Sequence, residues 1–98
     1  MNIKQTLEGT SLLLELEGRL DTSTSPELEA QINDKIDDLT ELTLDFAGID
    51  YISSSGLRVL LSAQKKMNTK GKMTVRNVNE TVSEIFDITG FSEILNVE

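Results

Sequence analysis

The stretch Ala47–Leu61, AGIDYISSSGLRVLL, constrains the fold more than any other part of the chain. An apolar, strand-like segment ends just before the run Ser53-Ser54-Ser55-Gly56, and apolar residues at helical spacing begin just after it. A strand that passes straight into a helix belongs to a β-α crossover, and such crossovers are right-handed and build parallel sheet. The same junction sets hydroxyl groups at a helix start, where backbone N–H groups lack partners and negative charge is favoured.

The segments on either side carry the same two periods. Ile3–Leu7 and Ser11–Glu17 read as strands joined by a tight turn at Glu8-Gly9, and in the second Leu12, Leu14 and Leu16 alternate with Leu13, Glu15 and Glu17. That period of two marks a sheet with one well-buried face. Gly18 reads as a turn or bulge residue, and Asp21 then sits at the carboxyl end of the strand. Ser25 followed by Pro26 gives a helix N-cap, with Thr24 and Glu27 as an alternative capping box one residue earlier. Leu28, Ile32, Ile36 and Leu39 recur at helical spacing, so a helix is expected from Pro26 to about Asp37.

Glu41–Phe46 is the third strand, a second helix runs from about Ser55 to Thr69, and Lys72–Arg76 is the fourth strand. A third helix is expected over Asn77–Asp87 with Asn79 as its N-cap, and Phe91, Ile94 and Leu95 close the chain in one helical turn. The order β-β-α-β-α-β-α predicts a single α/β domain over residues 1–98, a mixed sheet with packed helices. In such sheets functional residues gather beyond the carboxyl ends of the strands. Asp21 and the Ser53–Gly56 loop both fall there.

Composition decides which chemistries that loop can host. With no cysteine there is no disulfide, thiolate chemistry or Cys-based metal site. With no histidine there is no imidazole base, Ser-His-Asp triad or His-ligated metal, so an enzyme would depend on carboxylates, lysines or Tyr51. The net charge of −8, with no strongly basic stretch, argues against nucleic acid. No apolar run is long enough to span a membrane, and MNIKQTLEG has no signal-peptide core. A cytoplasmic protein without metal, cofactor or direct membrane insertion is expected.

Four readings of the serine run compete. In the first, Ser54 or Ser55 caps the second helix, a contribution of about 1 kcal/mol. That explains one serine, but not three followed by a glycine in the first helical turn. Glycine there costs about 0.5–1 kcal/mol relative to alanine, and suits a backbone approached closely by another group. In the second, a serine is a nucleophile, but the chain offers no histidine base and no GxSxG spacing. In the third, the loop cradles a nucleotide phosphate. One glycine without a lysine does not meet GxxxxGK[ST], although a weaker nucleotide contact at the helix start stays open. The fourth is a phosphorylation switch.

For that fourth reading the residues resemble a known pattern. The stretch GIDYISSSGLRVLLSAQKKM resembles the signature of STAS domains, in particular the anti-sigma-factor antagonists of bacterial partner-switching systems. Glu17-Gly18-Arg19-Leu20-Asp21 looks like that family's G-x-L/I-D strand end, and Leu42–Phe46 like its central strand. Phe86-Asp87-Ile88-Thr89-Gly90-Phe91 is similar to its F-D-I-T-G-L segment. The resemblance covers almost the whole chain, in order.

The resemblance implies a small adaptor with one regulatory serine, and not an enzyme. The family's loop reads D-S-[ST]-G-L with the first serine phosphorylated; laid on this chain, Ser54 is the acceptor, between its neighbours Ser53 and Ser55, and Gly56-Leu57 complete the match. Ser53 stands where many such antagonists have aspartate. Asp21 matches an aspartate beside the acceptor that helps hold the loop, and Arg58 is expected to add to the partner surface. By resemblance, the unphosphorylated protein binds an anti-sigma factor that is also a GHKL-type serine kinase, and so frees the sigma factor. Phosphorylation with ATP releases it, and a PP2C-type phosphatase restores it. Two other roles open to the same fold are a scaffold subunit on the cytoplasmic side of a lipid ABC transporter and the same switch with a non-transcriptional output.

Overall fold

The computed structural model describes residues 1–98. Its elements are β1 (Asn2–Glu8), β2 (Ser11–Leu20), α1 (Ser25–Lys35), β3 (Glu41–Ile52), α2 (Ser54–Asn68), β4 (Lys72–Arg76), α3 (Glu80–Thr89) and α4 (Phe91–Ile94). A single 3-10 turn, Ile36–Asp38, follows α1. This is the expected β-β-α-β-α-β-α order with a helical turn at its end. The strands lie side by side as β1-β2-β3-β4, with β1 antiparallel to β2 and the other two pairs parallel. The sheet is therefore mixed, as the crossover argument requires.

The core lies where the alternating residues of the parallel strands meet the apolar stripes of the helices. Leu12, Leu14 and Leu16 of β2, Leu42, Leu44 and Phe46 of β3, and Met73 and Val75 of β4 are buried with Leu28, Ile32, Leu60, Met67, Val82 and Phe86 of the helices. Each fully buried side chain of this size contributes about 1.5–3 kcal/mol relative to exposure. Phe46 and Phe86, with ring centroids 6.4 Å apart, tie α3 to β3. The opposite sheet face stays polar, with Lys4 and Thr6 exposed and Glu15 and Thr43 half-buried.

β3 runs well past the expected end at Phe46, to Ile52. The register explains why a strict period of two stops there. Glu15 pairs with Asp45 but Glu17 with Gly48, and Gly18 pairs with Ile49 but Arg19 with Tyr51. β3 thus carries one extra residue at each of two bulges, and each extra residue reverses which face the next side chain takes. The buried positions become Phe46, Ile49 and Ile52, spaced by three. On β2 the strain is taken by Gly18, whose φ of +116° suits a residue without Cβ. Gly18, which the sequence marks as a turn or bulge residue, lies at the second bulge on the strand opposite the extra residue, and β2 continues through it to Leu20.

The third helix starts later than expected. Asn77 is left-handed, at φ 58°, and redirects the chain after β4, so α3 begins at Glu80. Its N-cap is Asn79 as predicted: the side chain accepts a hydrogen bond from Val82 N at 2.8 Å. The Asn79 amide also donates to the Ile49 carbonyl at 2.8 Å, which covers β3 beyond the end of its pairing with β4.

Candidate functional site

Both bulges push β3 beyond β4 and bring its end level with that of β2, since Leu20 pairs with Ile52. The next residues, Asp21 and Ser53, are therefore neighbours at the carboxyl ends of two parallel strands. Ser53 N–H donates to the Leu20 carbonyl at 2.9 Å, which pins the serine loop to β2.

Ser53, rather than Ser54 or Ser55, is the N-cap of α2. Its backbone is extended and its Oγ accepts from Gly56 N at 3.4 Å. Three consecutive serines have the same capping chemistry, and the backbone bond to Leu20 selects among them. Ser54 follows as the first helical residue, exposed, with its hydroxyl in no hydrogen bond within the chain. Ser55 is half-buried and its Oγ lies 3.2 Å from Thr22 Oγ1, the side-chain link between the two loops. Each serine thus has its own environment.

Gly56 and Leu57 face inward. A Cβ on Gly56 would stand 2.7 Å from Leu20 Cγ and 2.8 Å from Ile52 Cγ1. The close approach expected of this glycine is made by two core side chains, and it draws α2 down onto the strand ends. Leu57 is buried in the core beneath the loop. Arg58 is exposed, makes no ion pair within the chain, and is four residues from Ser54, so the two share a helix face.

Asp21 organises the other loop. Its Oδ1 accepts from Ser23 Oγ at 2.8 Å, Ser23 N at 3.0 Å and Thr24 N at 3.2 Å. The Ser23 hydroxyl above all, and then the backbone N–H groups of Ser23 and Thr24, hold the carboxyl below its ordinary pKa, against partial burial that pushes it up. Neither predicted cap of α1 forms. Thr24 occupies the cap position without a side-chain cap bond, because its Oγ1 accepts from Asp21 N at 2.9 Å and donates to Arg19 O at 2.7 Å. Ser25 is the first helical residue and its hydroxyl donates to the Asp21 carbonyl. No hydrogen bond joins Asp21 to Ser53, Ser54 or Ser55; the side-chain link between the two loops is that of Thr22 with Ser55.

Beside the loops two surface residues, Arg19 and Tyr51, meet in a way that the residue pattern does not announce. The Arg19 guanidinium lies 4.9 Å from the centre of the Tyr51 ring, and its Nε is 3.8 Å from Asp21 Oδ2. Their meeting follows from the second bulge, which sets Arg19 opposite Tyr51 and leaves no trace in residue spacing. A shallow groove of about 300 Å³ opens between the starts of α1 and α2, lined by Thr22, Pro26, Glu29, Ser55 and Arg58 among others. No three carboxylates converge as a metal site would need, and no helix is long and apolar enough to cross a membrane. What the arrangement offers is an exposed hydroxyl at a helix N-terminus, with the unpaired Arg58 one turn further along the same helix and the Asp21 carboxylate fixed in the adjoining loop.

Comparison with known proteins gives a consistent result. The family model for the STAS domain matches residues 2–98. The chain is 33% identical over 84 residues to BtrV of Bordetella bronchiseptica, named as an anti-sigma factor antagonist, covering 84% of this chain and 72% of BtrV. It is 26% identical over 99 residues to the anti-sigma-B factor antagonist of Staphylococcus aureus, covering 99% of this chain and 92% of that protein. Among solved structures, the Bacillus cell fate determinant SpoIIAA in its phosphorylated form superposes with a TM-score of 0.78 at 18% identity, over 99% of this chain and 91% of that one.

Proposed function

We propose, from the premise that this chain belongs to the STAS domain family, that it is an anti-sigma-factor antagonist switched by phosphorylation of Ser54. Its curated relatives carry that antagonist name, and the antagonists of this family are non-enzymatic regulators. In this reading the unphosphorylated chain, in the cytoplasm, binds an anti-sigma factor that is also a GHKL-type serine kinase and so frees the sigma factor. ATP-dependent phosphorylation ends the complex, and a PP2C-type phosphatase restores the protein.

The observation that carries the proposal is the division of labour among the serines. Ser53 caps α2 and Ser55 meets Thr22, while Ser54 is exposed with its hydroxyl unused. A kinase can therefore modify Ser54 without breaking a bond that holds the fold. A phosphate there adds about −1.5 to −2 charge, and a helix start favours an anion by about 0.3–1 kcal/mol. Arg58, one turn further along the same face, adds a cation within reach. The domain tolerates the charge; a partner pressed against the loop does not. Losing about 2.7 kcal/mol of binding is a hundredfold loss of affinity.

Capture of partners from native cell extract tests this. Without ATP the immobilised protein should retain a serine kinase, and ATP should release it as phosphate enters the chain. Retention that ATP does not change, or a Ser54→Asp variant that holds the kinase as tightly as wild type, would contradict the switch.

A further inference from the structure

The two edges of the sheet are finished differently. At β4 the chain returns to cover its own edge: Val97 bridges Val75, Val75 N–H donates to Asn96 O at 2.9 Å, and Glu98 N–H donates to Val75 O at 2.9 Å. β1 has no such cover. Its seven residues pair with β2 without a register shift, and all but Ile3 are exposed. It holds no proline and no bulge, and of the devices that keep an edge strand from pairing with another chain it carries only charged side chains, Lys4 and Glu8.

The direction of its free backbone groups follows from the hairpin. Gly9, at φ +60°, and Thr10 form a two-residue turn, so Glu8 and Ser11 close the hairpin as a hydrogen-bonded pair. Alternation then turns the N–H and C=O of Glu8, Thr6, Lys4 and Asn2 toward β2. Those of Leu7, Gln5 and Ile3 point away from the sheet.

We propose that this edge binds a second copy of the same chain, β1 against β1, antiparallel about a two-fold axis at Thr6. In that register Gln5 faces Leu7 of the second copy as a hydrogen-bonded pair, Thr6 faces Thr6, and Lys4 faces Glu8 twice over. Threonine pairs and opposite charges at directly facing positions are favourable cross-strand contacts. Neither Lys4 nor Glu8 has an ion-pair partner within the chain. The other two-fold registers nearby lack this match: an axis at Gln5 or at Leu7 leaves both charges facing neutral residues, and one at Lys4 sets lysine against lysine. Leu7, 48% accessible in the single chain, gains cover in the assembly. The interface is small and each copy carries −8, so the dimer is weak, and it uses none of the residues Ser53–Arg58.

Sedimentation of the full chain over a concentration series tests the pairing. A monomer–dimer equilibrium should appear by about 1 mM. Lys4→Glu and Glu8→Lys should each weaken it about tenfold, since each sets like charges face to face at two symmetric positions. The double variant K4E/E8K should restore the wild-type value, because it rebuilds both pairs with their signs exchanged. Gln5→Pro removes an outward N–H while leaving the bonds to β2, and should abolish the dimer with an unchanged circular dichroism spectrum. A wild-type chain that stays monomeric, single variants without effect, or a double variant as weak as the singles would each overturn the proposal. The charge series stands by itself if the proline variant unfolds.

Discussion

The starts of α1 and α2 are built from the same residue types and put them to opposite uses. At α1, the Asp21 carboxylate gathers Ser23 and Thr24, Thr24 reaches back to Arg19, and Ser25 reaches back to Asp21. Every hydroxyl from Ser23 to Ser25 is engaged in holding the turn. At α2, one serine caps, one meets Thr22, and Ser54 is left with nothing to hold. A cluster of hydroxyls before a helix is therefore no sign of function in itself. What distinguishes the second cluster is a hydroxyl that the fold does not need.

Substitutions can break or sharpen that contrast. The largest effect is expected at Gly56, where the Cβ of alanine would press into Leu20 and Ile52. Overpacking of this kind costs about 1–3 kcal/mol, and Gly56→Ala should lower the urea midpoint accordingly. An unchanged midpoint would mean that α2 is not clamped to the strand ends. Asp21→Asn should also destabilise, in a pH-dependent way. Its folded pKa is depressed, so the carboxylate's contribution is fully present above the unfolded carboxylate pKa of about 3.9 and disappears as pH falls through the lower folded value. Thermal denaturation of wild type and variant should therefore converge at acid pH; a constant gap would mean that the charge is not what matters.

Smaller effects are expected within the serine run. Ser53→Ala removes the cap and should cost about 0.5–1 kcal/mol, the low end of the usual range because the bond is long at 3.4 Å. Ser53→Asp should recover the loss, since a carboxylate at this position both caps and meets the positive end of the helix. Ser54→Ala should change stability by less than about 0.5 kcal/mol, as for a surface residue without partners. A loss as large as that of Ser53→Ala would assign Ser54 a structural task and remove the contrast.

The sequence exposed the fold through its regular stretches and lost it at the irregular ones. The alternation of Leu12, Leu14 and Leu16 placed the start of β2, and the stripe of α2 placed both its ends, within a residue of where they stand, while β2 runs three residues past its expected end at Glu17. The far half of β3 was missed because two bulges turn its buried spacing from two to three, which breaks the alternation that marks a strand. Asn77 looked helical because nothing local announces a left-handed residue before a cap. The return of Val97 to Val75 depends on a contact across 22 residues and has no local signal.

The site was legible to the level of the loop and not of the single hydroxyl. Asp21 and the serine run follow from strand order alone, whereas the choice of Ser53 as cap depends on the Leu20 carbonyl of the adjoining strand. Serine and aspartate are both strong N-cap residues, so Ser53 can cap α2 where the pattern that the loop resembles has aspartate. The pairing of Arg19 with Tyr51 required the register of the second bulge.

The most direct test of the account is to map the phosphate. Incubating the chain with its captured kinase and ATP should add one phosphate, found by mass spectrometry on Ser54 and absent from Ser54→Ala. A phosphate on Ser53 or Ser55, or one that persists in Ser54→Ala, would contradict the claim that the unused hydroxyl is the switch.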